Sequence, residues 1–140
     1  MSALSFDSVA VGDVVGPEIV PVTRATLVAY AAASGDQNPI HQDEAFARSV
    51  GLPDVIAHGM WTMGASSSVV ARWAGDAGRV VAFGTRFTKP VVVPVEGAQI
   101  EVSATVKALD PDTRRATLDV TTSAGPDKVL GRCQAVVHLA

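Results

Sequence analysis

The chain has 140 residues, 48% of them apolar and 18% charged, with a net charge of −3. That length fits one compact domain spanning residues 1–140, with room for its own core. Scattered Lys and Arg on an acidic chain disfavour nucleic acid and anionic membrane as partners, and one cysteine, Cys133, excludes an intrachain disulfide framework.

A mean hydropathy of +0.29 is high for so few charges, which points to apolar surface covered in a dimer. The first residues carry no basic stretch followed by an apolar run, so no leader is expected and the expected location is the cytoplasm. Residues 11–22 are apolar, with turn residues Gly12, Asp13, Gly16 and Pro17 among them, and read as a strand-like lead-in. Thr23 is placed to cap a helix over 24–34, Val22 and Leu27 hold the two positions of a hydrophobic staple, and Gly35 ends the helix. Leu27, Tyr30 or Ala31, and Ser34 give that helix one face. A polar turn follows, Asp36-Gln37-Asn38-Pro39-Ile40-His41. Pro39 fixes its own φ and pushes Asn38 toward extended conformations, so no helix is predicted through it. Asp43 caps a short second helix over 44–50, with Glu44 and Arg48 paired one turn apart and Gly51 closing it.

A third helix is predicted over 59–74, ending at Gly75. Met60, Trp61, Met63, Val69, Val70 and Trp73 surround it, while Gly64, Ala65, Ser66, Ser67, Ser68 and Ala71 are small. Such a helix is predicted to be buried almost all round. His58 and Arg72 interrupt the apolar stretch, which argues against a membrane span. The period then changes to two. A strand at 80–88 comes first. Ile100, Val102, Ala104, Val106 and Ala108 then alternate with Glu101, Ser103, Thr105 and Lys107, and Asp110-Pro111-Asp112-Thr113 makes a turn. Ala116, Leu118 and Val120 alternate again, Gly125-Pro126-Asp127 turns, and a last strand over 129–139 puts Cys133 on its apolar side and His138 on its polar side. These strands are predicted to form an antiparallel meander curled around the third helix, an α+β domain.

Asp36 and His41 are the candidate catalytic pair. A separation of five does not place two side chains on one helix face. Gly35, however, permits a sharp reversal, and a stiff turn can bring a carboxylate and an imidazole to one point. Imidazole titrates near neutrality and a carboxylate can orient it or move a second proton, which suits general acid/base chemistry. Asp, Asn, Pro and Gly are also ordinary turn formers whose side chains bond nearby backbone, so the turn alone reads either way. Gly59 opens the third helix, where the first N–H groups lack internal partners and the dipole favours negative charge. Its N–H can hold a carbonyl oxygen that becomes an enolate; alternatively Gly59 only relieves crowding, with His58 a polar neighbour of the cap. One of Ser66, Ser67 and Ser68 can hydrogen-bond into a site, or all three serve helix packing. His41, His58 and His138 are spaced unlike a metal set, and no HExxH or Cys/His cluster is present. The acidic series Asp36, Asn38, Asp43 fails as a calcium loop because of Pro39, Ile40 and His41. No GxSxG, GxGxxG or Walker sequence occurs. No metal or organic cofactor is expected, and Cys133 reads as a buried core thiol.

Two segments, Tyr30-Ala31-Ala32-Ala33-Ser34-Gly35-Asp36-Gln37-Asn38-Pro39-Ile40-His41 with Asp43, and Ala57-His58-Gly59-Met60, together resemble the hydratase signature of the MaoC-like family. Val11-Gly12-Asp13, Arg86-Phe87-Thr88 and Gly131-Arg132 extend the resemblance over nearly the whole chain, toward subunits of type II (3R)-hydroxyacyl-ACP dehydratases. The resemblance implies the hot-dog fold, a long central helix wrapped by a curved antiparallel sheet. It implies Asp36 and His41 as the catalytic dyad, Asn38 as the brace of the turn, and Gly59 as the N–H donor to a thioester carbonyl. Ser67, eight positions further on, is implied as a supporting serine. The implied activity is reversible hydration of trans-2-enoyl thioesters, equivalently dehydration of (3R)-hydroxyacyl thioesters, on ACP or CoA in fatty-acid metabolism. No cofactor is implied, and the implied assembly is a homodimer or a heterodimer with another hot-dog subunit. Pro94-Val95-Glu96-Gly97 departs from the Pro-Gly-Asp turn of many members, which bears on local loop shape. The rival readings are a non-catalytic or heterodimer-dependent hot-dog subunit and a hot-dog acyl thioesterase. The intact Asp36/His41 pair argues against a non-catalytic subunit, and the GDxNPxH arrangement against a thioesterase.

Overall fold

In the computed structural model, which describes residues 4–140, three helices lie with an antiparallel sheet of six strands. The start of the chain, on which the expectation of no leader partly rests, lies outside the described residues. Strand β1 (Val14–Val22) feeds helix α1 (Arg24–Ser34) through Thr23, whose hydroxyl accepts the Thr26 N–H while the Thr26 side chain accepts the Thr23 N–H. This reciprocal cap satisfies two of the orphan donors at a helix start. Val22 and Leu27 are both fully buried at the staple positions. Gly35 stops α1 at φ 81°, a left-handed conformation that costs a side-chain-bearing residue. Asp43 caps α2 (Glu44–Ser49) by accepting the Phe46 N–H, and the Glu44–Arg48 ion pair closes at 2.8 Å. Arg24 ties these pieces together. Its guanidinium donates to the Val93 carbonyl and to the carboxylates of Glu44 and Asp54, at 3.2, 3.1 and 2.6 Å.

Helix α3 (Gly59–Ala74) ends at Gly75 as expected, but it is buried on one face only. Thr62, Ser66, Val69, Val70 and Ala74 face inward, whereas Met60, Gly64, Ser68 and Arg72, each four residues apart, face solvent. The expectation of burial almost all round is corrected. The curled sheet covers a single side of the helix, and the apolar Met60 is left 58% exposed. The inward face carries hydroxyls as well as hydrocarbon. Ser66 donates to the Thr62 carbonyl (2.8 Å) and meets the Thr122 hydroxyl at 2.7 Å.

The remaining strands are β2 (Val80–Phe87), β3 (Ala98–Asp110), β4 (Arg115–Ala124), β5 (Asp127–Lys128) and β6 (Leu130–His138). Their spatial order is β1-β3-β4-β6-β2, with β5 pairing β4. Strands β3, β4 and β6 follow one another as neighbours. The meander expectation fails for β2, which lies beyond β6 at the opposite edge from β1, so residues 88–97 carry the chain across to β3. Helix α3 touches strands from both ends of this order, β1 and β3 as well as β6 and β2, so the sheet must curve around it. One face of the alternation also breaks. A bulge between Val106 and Ala108 shifts the β3–β4 register, and Ala108, expected inside, turns outward. Pro94-Val95-Glu96-Gly97 still makes a tight turn, with the Gly97 N–H donating to the Pro94 carbonyl at 2.9 Å. Among the described residues no helix is long and apolar enough to cross a membrane.

Candidate active site

The polar turn is built by its own side chains. Asp36 Oδ1 accepts the Asn38 N–H and Asn38 Oδ1 accepts the Ile40 N–H, each at 3.1 Å. Ser34 Oγ accepts the Asp36 N–H. Pro39 then starts a single 3-10 turn, Pro39–His41, which its fixed φ suits. This turn swings His41 inward, to 6% exposure, while the Asp36 carboxylate stays open to solvent. His41 Nδ1 lies 2.7 Å from the Ile56 carbonyl. A carbonyl only accepts, so the proton sits on Nδ1 and the neutral ring carries its lone pair on Nε2. That nitrogen stands 4.0 Å from Asp36 Oδ2, beyond hydrogen-bond reach, so the two groups face one another without being tied together. Burial lowers the His41 pKa from its ordinary value of 6.5. The bond to Ile56 opposes this, the neighbouring His58 adds to it and Asp36 opposes it.

Gly59 is the first residue of α3. The Trp61 and Thr62 N–H groups donate to the His58 carbonyl, and no acceptor among the described residues takes the Gly59 N–H. The segment before it is laced to the crossing segment. The Ala57 N–H donates to Val91 O and the Val93 N–H to Val55 O, both at 2.9 Å. This lacing forms one wall of a cavity of about 320 Å³, lined by His41, Ile56, Ala57, Gly59, Thr62, Phe87, Thr88, Lys89, Pro90, Val91, Val129 and Leu130. That is a usual size for a small-molecule site, apolar with a few polar groups. A second cavity, of about 450 Å³, is lined by Tyr30, Ser34, Asp36, His58 and Met60, and shares Gly59 and Phe87 with the first. The Phe87 ring lies directly against Gly59, and a Cβ there would be 3.0 Å from its Cε1.

Of the residues singled out from sequence, Asp36, His41 and Gly59 therefore converge where the two cavities join, and Asn38 braces the turn from outside. Ser67 is not brought to them. It is half-buried on α3 and lines neither cavity, because the cavity side of the helix is taken by Thr62, with Ser66 in register behind it. His58 was not anticipated as part of the site. It makes no side-chain cap; its ring is 2% exposed, stacks on His41 at 3.7 Å and donates from Nε2 to the Asp36 carbonyl at 3.1 Å. The sequence signal was the histidine itself, directly before the helix that carries the donor. Thr62 gave no signal beyond helical periodicity, and Phe87 only its place in the Arg86-Phe87-Thr88 segment of the family resemblance.

The histidines were read as too far apart for a metal set, yet Asp36, His41 and His58 bring ligand atoms within 4.8 Å of one another. His138 is exposed on β6. The cluster is a poor cage all the same. Stacked rings, 24° from parallel, aim their lone pairs side by side rather than at one ion, and one nitrogen of each ring is already committed to a carbonyl.

Residues 8–125 match the family described as MaoC like domain. A 3-hydroxybutyryl-CoA dehydratase of Methylorubrum extorquens is 34% identical over 133 residues, covering 93% of this chain and 81% of that protein. Among solved structures, a MaoC-like dehydratase superposes with a TM-score of 0.96 at 42% identity over 99% of this chain, which spans only 43% of that longer chain. The (R)-hydratase from A. caviae involved in PHA biosynthesis superposes with a TM-score of 0.85 at 29% identity, covering 95% of this chain and 98% of the other.

Proposed function

The chain belongs to the MaoC-like family, and we propose that it catalyses reversible hydration of trans-2-enoyl thioesters, equivalently dehydration of (3R)-hydroxyacyl thioesters, in fatty-acid metabolism. It is a hydro-lyase like the relatives it matches. The observation that carries the mechanism is the convergence of the Asp36 carboxylate, the His41 Nε2 lone pair and the unbonded Gly59 N–H at the junction of the two cavities.

In the dehydration direction His41 Nε2 takes the C2 proton, and the C2–H electron pair becomes the new double bond to C3. The C3–O bond breaks, and the hydroxyl leaves as water with a proton from the acid form of Asp36, given directly or through an intervening water, so that Asp36 ends as the carboxylate and His41 as the imidazolium. The exchanged assignment, with Asp36 at the C2 proton and His41 at the C3 hydroxyl, uses the same two groups, and in the hydration direction each group returns the proton it moved. The Gly59 N–H, at the positive end of α3, holds the negative charge that grows on the thioester oxygen. Asn38 keeps the turn rigid, and the acyl chain lies along the apolar wall of Val91, Val129 and Leu130. The carrier is ACP or CoA. The working form is a dimer, of two copies or with another hot-dog subunit, located in the cytoplasm; support for a second chain comes from edge strand β2, where Val81 and Phe87 stand exposed.

The test uses crotonyl-CoA and longer enoyl-CoA and enoyl-ACP substrates, following loss of enoyl absorbance together with any free thiol. Asp36→Asn and His41→Ala are each expected to lower kcat by about 10²–10⁴. Retained turnover in both variants, with the fold intact, removes the mechanism, and free thiol without hydration replaces it with thioester hydrolysis.

A further inference from the structure

His58 is the one buried titratable group at the site that the mechanism above does not use. Three contacts converge on it. Its ring stacks face to face on His41, with centroids 3.7 Å apart. Its Nε2–H donates to the main-chain carbonyl of Asp36. On its far side the Tyr30 ring lies 4.8 Å away, tilted by 43°. With the Nε2 proton fixed on Asp36, the neutral ring turns an acceptor, Nδ1, into a place where it finds no partner among the described residues. A buried nitrogen with no partner costs stability, so a group needing only bulk or a donor would be served better by another side chain.

We propose that His58 is a positioning residue of the Asp36–His41 pair: stacked on the ring of one and hydrogen-bonded to the backbone carbonyl of the other, it fixes their relative placement and disfavours charge on His41. The proposal rests on the hydro-lyase reading for its kinetic consequences, but its physical content stands on geometry. Two imidazolium rings in van der Waals contact repel strongly where little water separates them. Through this contact His58 adds to the burial that disfavours charge on His41. The other charged and titratable groups facing this point are the Asp36 carboxylate, Tyr30 from α1, and Lys89, which lines the cavity of His41 and is held by Asp127. Beside the hydrogen bond to the Ile56 carbonyl, only Asp36 favours charge on His41, and it is solvated. The lowered His41 pKa agrees with this balance.

Two substitutions separate the two contacts. His58→Phe keeps an aromatic face on His41 and loses the donor to Asp36. His58→Gln keeps an N–H near the Nε2 position and loses the ring. His41 is followed in each by NMR titration of its ring, which needs no substrate, alongside the pH profile of kcat/KM for crotonyl-CoA hydration. The His41 titration and the acid limb are expected to rise by about half to one pH unit in both variants. In His58→Phe, kcat is expected to fall about tenfold with KM within about twofold, and His58→Gln to recover part of that loss. An unmoved His41 titration in both variants overturns the proposal, as does equal loss of kcat in the two. A wild-type protein that hydrates no enoyl thioester removes the hydro-lyase reading instead, and the His41 titration still decides the role of His58.

Discussion

Gly59→Ala separates the two readings that its position allows, donor or mere relief of crowding. The added Cβ would stand 3.0, 3.1 and 3.3 Å from Phe87 Cε1, Cδ1 and Cζ. Carbon atoms prefer about 3.5–4.0 Å, so something must move by roughly 0.5 Å. The ring gives first, because Phe87 is 55% exposed, whereas the helix start is pinned by the Ala57–Val91 bond and by two N–H groups on the His58 carbonyl. The Gly59 N–H thus stays in place, but the methyl group now occupies the space through which a carbonyl oxygen must approach it, so the donor is lost to the substrate rather than to the chain. Losing one such donor typically lowers kcat by about 10²–10³, or ~2.7–4 kcal/mol. The expected result is a fall of about 10² in kcat for enoyl-CoA hydration, with thermal stability little changed. Phe87→Ala removes the ring that the methyl group strikes. If Gly59 donates to the substrate, the double variant remains about 10²-fold below Phe87→Ala alone. A double variant as active as Phe87→Ala alone refutes the donor and leaves Gly59 a packing residue.

The lowered His41 pKa sets two pH effects. Between the folded value and the ordinary 6.5 the unfolded chain binds the extra proton, so unfolding free energy rises with pH through that window and the contribution is lost as pH falls through it. Urea midpoints measured across the window are expected to drop toward acid, and His41→Ala to flatten that slope. The acid limb of kcat/KM is expected below the ordinary imidazole value, and a limb above it contradicts the burial of His41. Ser67→Ala is expected to change kcat by less than about twofold. Ser66→Ala strands the fully buried Thr122 hydroxyl and is expected to cost about 1–3 kcal/mol in chemical denaturation. Burial raises the Cys133 pKa, opposed by a hydrogen bond with Thr85. Iodoacetamide is expected to leave Cys133 unmodified in the native protein and to label it in urea; rapid native labelling, read by mass spectrometry, would show the thiol to be open.

What could be read from sequence was local. Thr23, Asp43, Gly35 and Gly75 mark helix ends through bonds that span three or four residues, and the helix bounds at Arg24–Ser34 and Gly59–Ala74 followed from them. The nearness of Asp36 and His41 was legible for the same reason, since Gly35, Asn38 and Pro39 leave the turn few shapes. Non-local choices were not legible. The placement of β2 beyond β6 depends on which strand curls around α3 from which side, and no pattern inside residues 80–87 encodes it. The bulge that turns Ala108 outward is a matter of register with β4, invisible in an unbroken alternation. His58 joined the site through a stack across 17 positions and a bond across 22, and Ser67 lies on a part of α3 that lines neither cavity.

The crossing segment that walls the cavity is stitched by Ala57–Val91 and Val55–Val93 to the extended piece that leads through His58 into Gly59 at the start of α3. Tail and head of a bound acyl group therefore press on one backbone unit. An overlong tail that shoves Val91 outward would drag the amide away from the carbonyl it must polarise. Chain-length selectivity would then register in turnover more than in apparent affinity, and the ruler and the trigger would be the same piece of polypeptide.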